Sequence, residues 1–214
     1  VSLTVRSDGI AQPMLDVDKA RVRVGLLSLL MGNPEAGFSL QFKKSTIDGR
    51  VAKRDNNLQI EADLSPVQLT NVPWFASVLG LKVAGDVSGT LTMSMPLEGN
   101  KPSEGSVNLS FKGGELQAGS KIPLGQAGSM DITNAIKFAQ GKDSKLVMKW
   151  SKGLVDLSSW KWADGDIQLD LKGQAFTAVN VANTRLNING TISLSPQFEK
   201  DFPILTMISK QKQA

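Results

Sequence analysis

The sequence predicts a mainly β protein: a large curved antiparallel sheet, built as an open gutter or as a sandwich, with a few short helices. Residues 165–173 (GDIQLDLKG) place apolar side chains at every second position between two glycines, which is typical of a strand with one dry face. The same glycine-led alternation starts again at Gly89, Gly105 and Gly190. These starts have no constant spacing, which argues against a solenoid. Crossover helices are missing, so a parallel sheet is disfavoured.

The N-terminal third alternates in the same way. The pattern predicts strands at 1–7, 17–24, 38–42, 46–53 and 58–64, with a turn at 55–57. Between the second and third of these strands, residues 25–32 (GLLSLLMG) break the alternation. Their leucines and the final Gly32 predict one or two helical turns with a glycine stop.

Two helix-start signals follow. Ser65 before Pro66 offers an N-cap and a proline at the first helical position, and Pro73 repeats the signal before a second segment. That segment, 74–79, has helical apolar spacing and ends at Gly80. Two interpretations stay open: the helix plugs one end of the sheet, or Trp74, Phe75 and Leu79 contact lipid or a partner.

The C-terminal part returns to strands. They are predicted at 82–95, 105–112, 145–150, 153–157, 165–173 and 186–194. Residues 129–139 fit either a short helix or a strand, and 198–208 form an apolar segment that caps the sheet. Trp160 and Trp162 lie two apart on one face, which is typical of a packed sheet surface and also, less often, of a sugar-binding platform.

Composition excludes several classes of function. The 214 residues suit one domain, 1–214, with 41% hydrophobic residues and a net charge of +4 that is spread along the chain. No basic stripe with interleaved aromatics is present, so no nucleic acid partner is expected. The chain has no histidine and no cysteine, and no phosphate-binding loop. We therefore expect no enzyme activity, no catalytic residues, no cofactor and no metal.

The alternation also predicts a continuous apolar face. Its candidate residues are Val107, Leu109, Phe111, Ile167, Leu169, Leu171, Ile192 and Leu194. Such a face must be covered by another layer, by helices or by a ligand, because each side chain gains about 1.5–3 kcal/mol on leaving water. In a closed sandwich it would be core; in an open sheet it would be a groove for acyl chains.

The order of these features resembles a known family. Strand 58–64 with the Ser65-Pro66 segment, helix 74–79, the stretch 85–91 (GDVSGTL), the strand from Gly105 and the pair from Gly165 and Gly190 are similar to type II secretion system protein N. The chain is more distantly similar to the AsmA-like proteins of the bacterial envelope. The resemblance spans most of the chain.

The resemblance implies a place and two functions. It implies a periplasmic domain of a Gram-negative bacterium, tethered to the inner membrane by an anchor preceding Val1, since no stretch of 18 apolar residues occurs here. The first implied function is a non-enzymatic accessory or structural component of the type II protein secretion system, with other envelope proteins as partners. The second, from the AsmA-like relatives, is a lipid-binding or lipid-transfer module whose groove holds phospholipid.

Overall fold

The computed structural model describes residues 3–5, 15–98, 101–123, 128–176 and 185–203. The strands within these ranges are β1 (Leu3–Val5), β2 (Leu15–Val17), β3 (Lys19–Val24), β4 (Glu35–Phe42), β5 (Ser45–Arg54), β6 (Asn57–Gln68), β7 (Val83–Pro96), β8 (Glu104–Leu116), β9 (Lys121–Pro123), β10 (Ser129–Asp131), β11 (Ile136–Phe138), β12 (Lys145–Ser151), β13 (Leu154–Trp162), β14 (Ile167–Phe176) and β15 (Arg185–Leu194). The helices are α1 (Leu26–Leu30), α2 (Trp74–Leu79) and α3 (Pro196–Asp201), with a 3₁₀ turn at Leu69–Asn71.

Eleven strands form one sheet, so the predicted mainly β fold is confirmed. Ten of them run in the order β3-β4-β5-β6-β7-β8-β12-β13-β14-β15, and each pairs antiparallel with its neighbours. The eleventh, β11, pairs antiparallel with β8 and makes one parallel pairing with β14, between Phe138 and Ile167. The pairs β1–β2 and β9–β10 form two small separate sheets.

Strand β11 narrows one end of the sheet. Strand β12 begins at Lys145 opposite Ser110, so β8 continues past it to Leu116, and β11 occupies the space beyond. Where β12 and β13 lie between them, β8 and β14 are three strand spacings apart. Where β11 lies between them, they are two spacings apart, so the sheet is narrower there by about 5 Å. We call this narrowed end, which holds Leu116, the closed end.

Two apolar clusters fill the closed end. One is built from Ile132, Ile136, Phe198 and Phe202, so the capping role predicted for the C-terminal segment is confirmed as far as Phe202. The other contains Val17, Phe42 and Val67. Asp166 links the two segments that carry the first cluster, β11 and the start of α3. Its carboxylate accepts hydrogen bonds from Lys137 N (2.8 Å) and from Ser195 Oγ (3.0 Å). Ser195 also caps α3 by accepting from Phe198 N at 3.0 Å.

Several local predictions are corrected. The helix start at Ser65-Pro66 is wrong, because both residues lie in β6, where the register with β7 shifts between Leu64 and Val67. A proline that cannot donate to the ladder is tolerated at such an irregularity. For residues 129–139, where helix and strand were both left open, the structure has the two short strands β10 and β11. The predicted part of the cap at 204–208 lies outside the described residues.

Other local predictions are confirmed. Helix α1 ends before Gly32, at φ 74°, and α2 ends at Gly80 in the left-handed conformation. The turn at 55–57 joins β5 to β6, with Arg54 paired to Asn57. The predicted strand 1–7 is described only at Leu3–Val5, where it pairs with β2 outside the large sheet.

The polar face of the sheet carries a bidentate ion pair across β5 and β6. Arg50 Nε and Nη2 donate to the two carboxylate oxygens of Glu61 at 2.9 and 3.0 Å. The hydrogen bond from Arg50 is the main cause that lowers the pKa of Glu61 below its ordinary 4.5, and the same bond raises the pKa of Arg50.

We expect Glu61→Gln to lower stability only where Glu61 is ionised. The pKa of Glu61 is depressed in the folded state, so its contribution is present above pH 4.5 and disappears as the pH falls through the folded value. Urea midpoints of the wild type and the variant, measured across the acid range, should therefore converge on acidification. A difference that stays constant or grows at low pH would contradict this assignment.

Candidate functional site: the apolar face of the sheet

The register aligns apolar residues into complete rows across ten strands. The first row is Val22, Phe38, Gly49, Ala62, Leu91, Val107, Met148, Leu157, Gly173 and Ile188. The second is Val24, Ala36, Val51, Ile60, Met93, Gly105, Trp150, Val155, Ala175 and Leu186. The third is Ala20, Leu40, Ile47, Leu64, Gly89, Leu109, Leu146, Trp160, Leu171 and Gly190.

Every position in these three rows is apolar or glycine. Nine strand spacings separate β3 from β15, so each row is about 43 Å long, measured along the sheet. The glycines make room for large neighbours: a Cβ at Gly49 would lie 2.4 Å from the Phe38 ring, and one at Gly105 would lie 2.4 Å from the Trp150 ring. We call the surface formed by the three rows the apolar face.

The apolar face is accessible along its length. Only Val107 and Leu157 among its members are buried, and the remaining residues of the central strands are half-buried. At the two edges most side chains are exposed, with Val22 at 66% and Leu186 at 68%. The filled core of a sandwich would bury nearly all of these positions. The arrangement matches the open gutter among the two predicted architectures.

The apolar face has a cavity on β12–β15. The cavity measures about 240 Å³, and its apolar walls are formed by Leu146, Met148, Val155, Leu157, Trp160 and Ile188. Pockets for small molecules usually measure about 300–1,000 Å³. This cavity therefore suits part of an extended apolar chain that continues along the sheet.

The structure brings the predicted groove residues onto one face of the sheet. It separates those on β8 from those on β14 and β15. Leu169 pairs with Ile192 and Ile167 with Leu194 across β14 and β15, whereas β12 and β13 lie between these strands and Val107, Leu109 and Phe111 on β8. Ile167 and Leu194 pack against the closed-end cluster. Leu171 belongs to the third row, and Phe111 continues the β8 alternation beside Val87.

Sequence reasoning predicted the strands that lie between and beyond β8, β14 and β15 but did not assign them to the apolar face. Leu146, Met148 and Trp150 complete the face between β8 and β13, and β3–β6 supply its other half. The alternation was visible in each of these strands. The sequence does not show which strands are neighbours in the sheet, because β8 pairs with β12 across about thirty residues of chain.

The aromatic residues proposed for partner contact occupy the closed end. Trp74 and Phe75 of α2 are half-buried and pack edge to face at 5.3 Å, and Leu79 is 38% exposed. Trp160 and Trp162 also meet edge to face, at 5.7 Å, and Trp162 packs on Phe138 at 4.7 Å. Two rings at a right angle do not form the flat platform on which a sugar stacks.

Comparison with protein-family models, with curated proteins and with solved structures gives no match for this chain. The resemblance to type II secretion system protein N and to AsmA-like proteins therefore stays a prediction. No helix within the described residues is long and apolar enough to cross a membrane. Within those residues, no group of three acidic, histidine or cysteine side chains is placed to hold a metal ion.

Proposed function

We propose that this protein is a non-enzymatic module that binds the acyl chains of phospholipid on its apolar face. The observation that supports the proposal is the set of three rows, which run across ten strands without a charged side chain and stay accessible to solvent. Each methylene group that leaves water for such a surface contributes about 0.8 kcal/mol, so a long chain gains much from a long strip. A fixed polar pocket for a headgroup is not required for this mode of binding.

The test is native mass spectrometry with lipid extraction on protein purified from bacterial membranes. The informative variant is Ile188→Asp, because Ile188 lines the cavity on β15 and is 44% exposed, so a charge there does not disturb a packed core. We expect bound phospholipid to fall by at least about tenfold, since an acyl chain would have to desolvate the new carboxylate. Substitution of Leu169 is less useful, because Leu169 is only 8% exposed and its replacement would unfold the sheet.

Asn189→Asp is the matched control. Asn189 is exposed on the same strand but lies on the polar face, where it pairs with Lys172. It should retain lipid at the wild-type level. Absence of lipid from the wild type, or equal lipid in Ile188→Asp and Asn189→Asp, would contradict the proposal.

A second candidate function is a structural subunit of the type II secretion system on the periplasmic side of the inner membrane, and one observation favours it. Strands β3 and β15 each pair on one side only among the described strands, and β15 is exposed along nine of its ten residues. A free strand edge can accept a strand from a partner protein. Protection of β15 amides from hydrogen exchange on mixing with purified components of the secretion system would support this role, and unchanged exchange would oppose it.

A further inference from the structure

The short helix α1 exposes its apolar side chains and turns its polar side chain toward the protein. It stands at the end of the sheet opposite the closed end, between β3 and β4. Its apolar side chains are the exposed ones: Leu26 74%, Leu27 72%, Leu29 53%, Leu30 85% and Met31 70%. The single polar residue among them, Ser28, is half-buried and donates its hydroxyl to the Gly25 carbonyl at 2.7 Å.

The turn that carries these side chains is held by backbone hydrogen bonds. Gly25 N donates to Glu35 O at 3.0 Å and Asn33 N to Ser28 O at 2.9 Å, and Lys53 N on the neighbouring strand donates to Pro34 O at 2.9 Å. The leucines are therefore presented outward by a formed turn that closes the β3–β4 connection. Water is an unfavourable surrounding for five large apolar side chains, and an exposed apolar patch of this kind marks a site of contact with another surface or medium.

The distribution of the leucines selects the kind of partner. Successive side chains of a helix point about 100° apart, so the apolar side chains of residues 26–31 cover an arc of about 200°, and only the side of the half-buried Ser28 is without them. A protein groove covers one narrower stripe of a helix, as in amphipathic helix recognition. A lipid bilayer can cover the whole exposed arc at once.

The charges next to α1 favour an anionic surface. Arg21 and Arg23 lie on β3 shortly before α1, and both side chains are exposed. The acidic residue beside α1 is Glu35, whose carboxylate is paired with Arg54 at 2.9 Å. An exposed cationic side chain beside an inserted apolar segment attracts the phosphate groups of anionic lipids.

We propose that residues 25–31 insert into the headgroup region of an anionic lipid bilayer, with Arg21 and Arg23 against the phosphates. The insertion stands on α1 and its flanking charges and does not depend on acyl binding by the apolar face. The two surfaces are nevertheless continuous, because the exposed Val22 and Val24 of the apolar face lead directly into the turn. Bilayer contact at this point would place the end of the sheet that carries α1 beside the source of a phospholipid ligand.

The test is co-sedimentation of the full chain with two kinds of vesicle, phosphatidylcholine alone and phosphatidylcholine mixed with phosphatidylglycerol. The wild type should bind the anionic vesicles more tightly, and added salt should weaken that binding. The double variant Leu27→Asn/Leu30→Asn should lose affinity for both kinds, by about tenfold for each leucine. Arg21→Gln/Arg23→Gln should lose about fivefold for each arginine, on the anionic vesicles only.

Two controls separate this inference from other outcomes. Leu79→Asn removes an exposed leucine at the closed end and should bind vesicles as the wild type does. Ile188→Asp should also bind vesicles normally while it loses extracted lipid, so failure of acyl binding and failure of bilayer insertion give different results. Equal vesicle binding by the wild type and the leucine variant would overturn the inference. So would a wild type that ignores vesicles and self-associates through these leucines, as measured by analytical ultracentrifugation.

Discussion

Gly89→Ala is expected to destabilise the protein by about 3 kcal/mol or more, which lowers the melting temperature by roughly 10 °C for a chain of this size. Gly89 lies in the middle of β7 with φ 140°, a conformation that residues with a side chain rarely adopt. A Cβ there would lie 2.0 Å from Asn108 O and 2.9 Å from the Leu109 Cα. Both contacts are to backbone, so no change of rotamer relieves them, and β7 would have to separate from β8.

Gly37→Ala is the control for this substitution. Gly37 also lies inside a strand, but a Cβ there meets only Gly49 O, at 3.8 Å, and its φ is not in the left-handed region. Its replacement should change stability by no more than about 0.5 kcal/mol. The two variants can be compared by thermal unfolding followed by circular dichroism. Equal melting temperatures would mean that the backbones of β7 and β8 are farther apart at Gly89 than these distances require.

Phe198→Ala is expected to cost about 3–5 kcal/mol, because it empties the centre of the closed-end cluster. Phe198 is 4% exposed and its ring lies 5.1 Å from that of Phe202. Around them pack Ile132 and Ile136, and Ile136 is the first residue of β11. Loss of the ring should therefore loosen β11 as well as α3, and amides of both should exchange faster with solvent.

Phe176→Ala provides the matched comparison for the closed end. Phe176 ends β14 at the opposite end of the sheet and is 52% exposed. Its replacement should cost less than about 1 kcal/mol in urea unfolding. If both phenylalanine variants were equally stable, the closed end would not be the packed anchor of the sheet.

The class of fold could be predicted because it depends on local patterns. The two-residue alternation identifies ten of the eleven strands of the large sheet, with β11 left ambiguous, and glycine marks the ends of α1 and α2. The helix predicted at Ser65-Pro66 failed because a proline after a serine is also compatible with an irregular position in a long strand, and pairing with β7 decided between the two. Such pairing is a tertiary effect that propensity cannot supply.

The candidate site could be predicted in kind but not in extent. The alternation of 107–111 and of 167–171 showed an apolar face, yet only the register shows that Met148 and Leu157 continue the row that holds Val107. The sequence predicted the helical turn of α1 but not that its leucines point outward, because leucine side chains in a short turn are usually buried. Their exposure follows from the position of α1 at the tip of the β3–β4 connection, which the sequence alone does not specify.

The most direct test of the central claim is photo-crosslinking of the purified protein with a fatty acid that carries a diazirine near its terminal methyl group, followed by peptide mapping. If acyl chains lie on the apolar face, crosslinks should fall on apolar-face residues of β12–β15, foremost Leu146, Met148, Trp160 and Ile188 around the cavity. They should be absent from the polar face of the same strands, for example at Lys149 and Lys161. Crosslinks spread equally over both faces, or confined to α1, would contradict the claim that the apolar face is the binding surface.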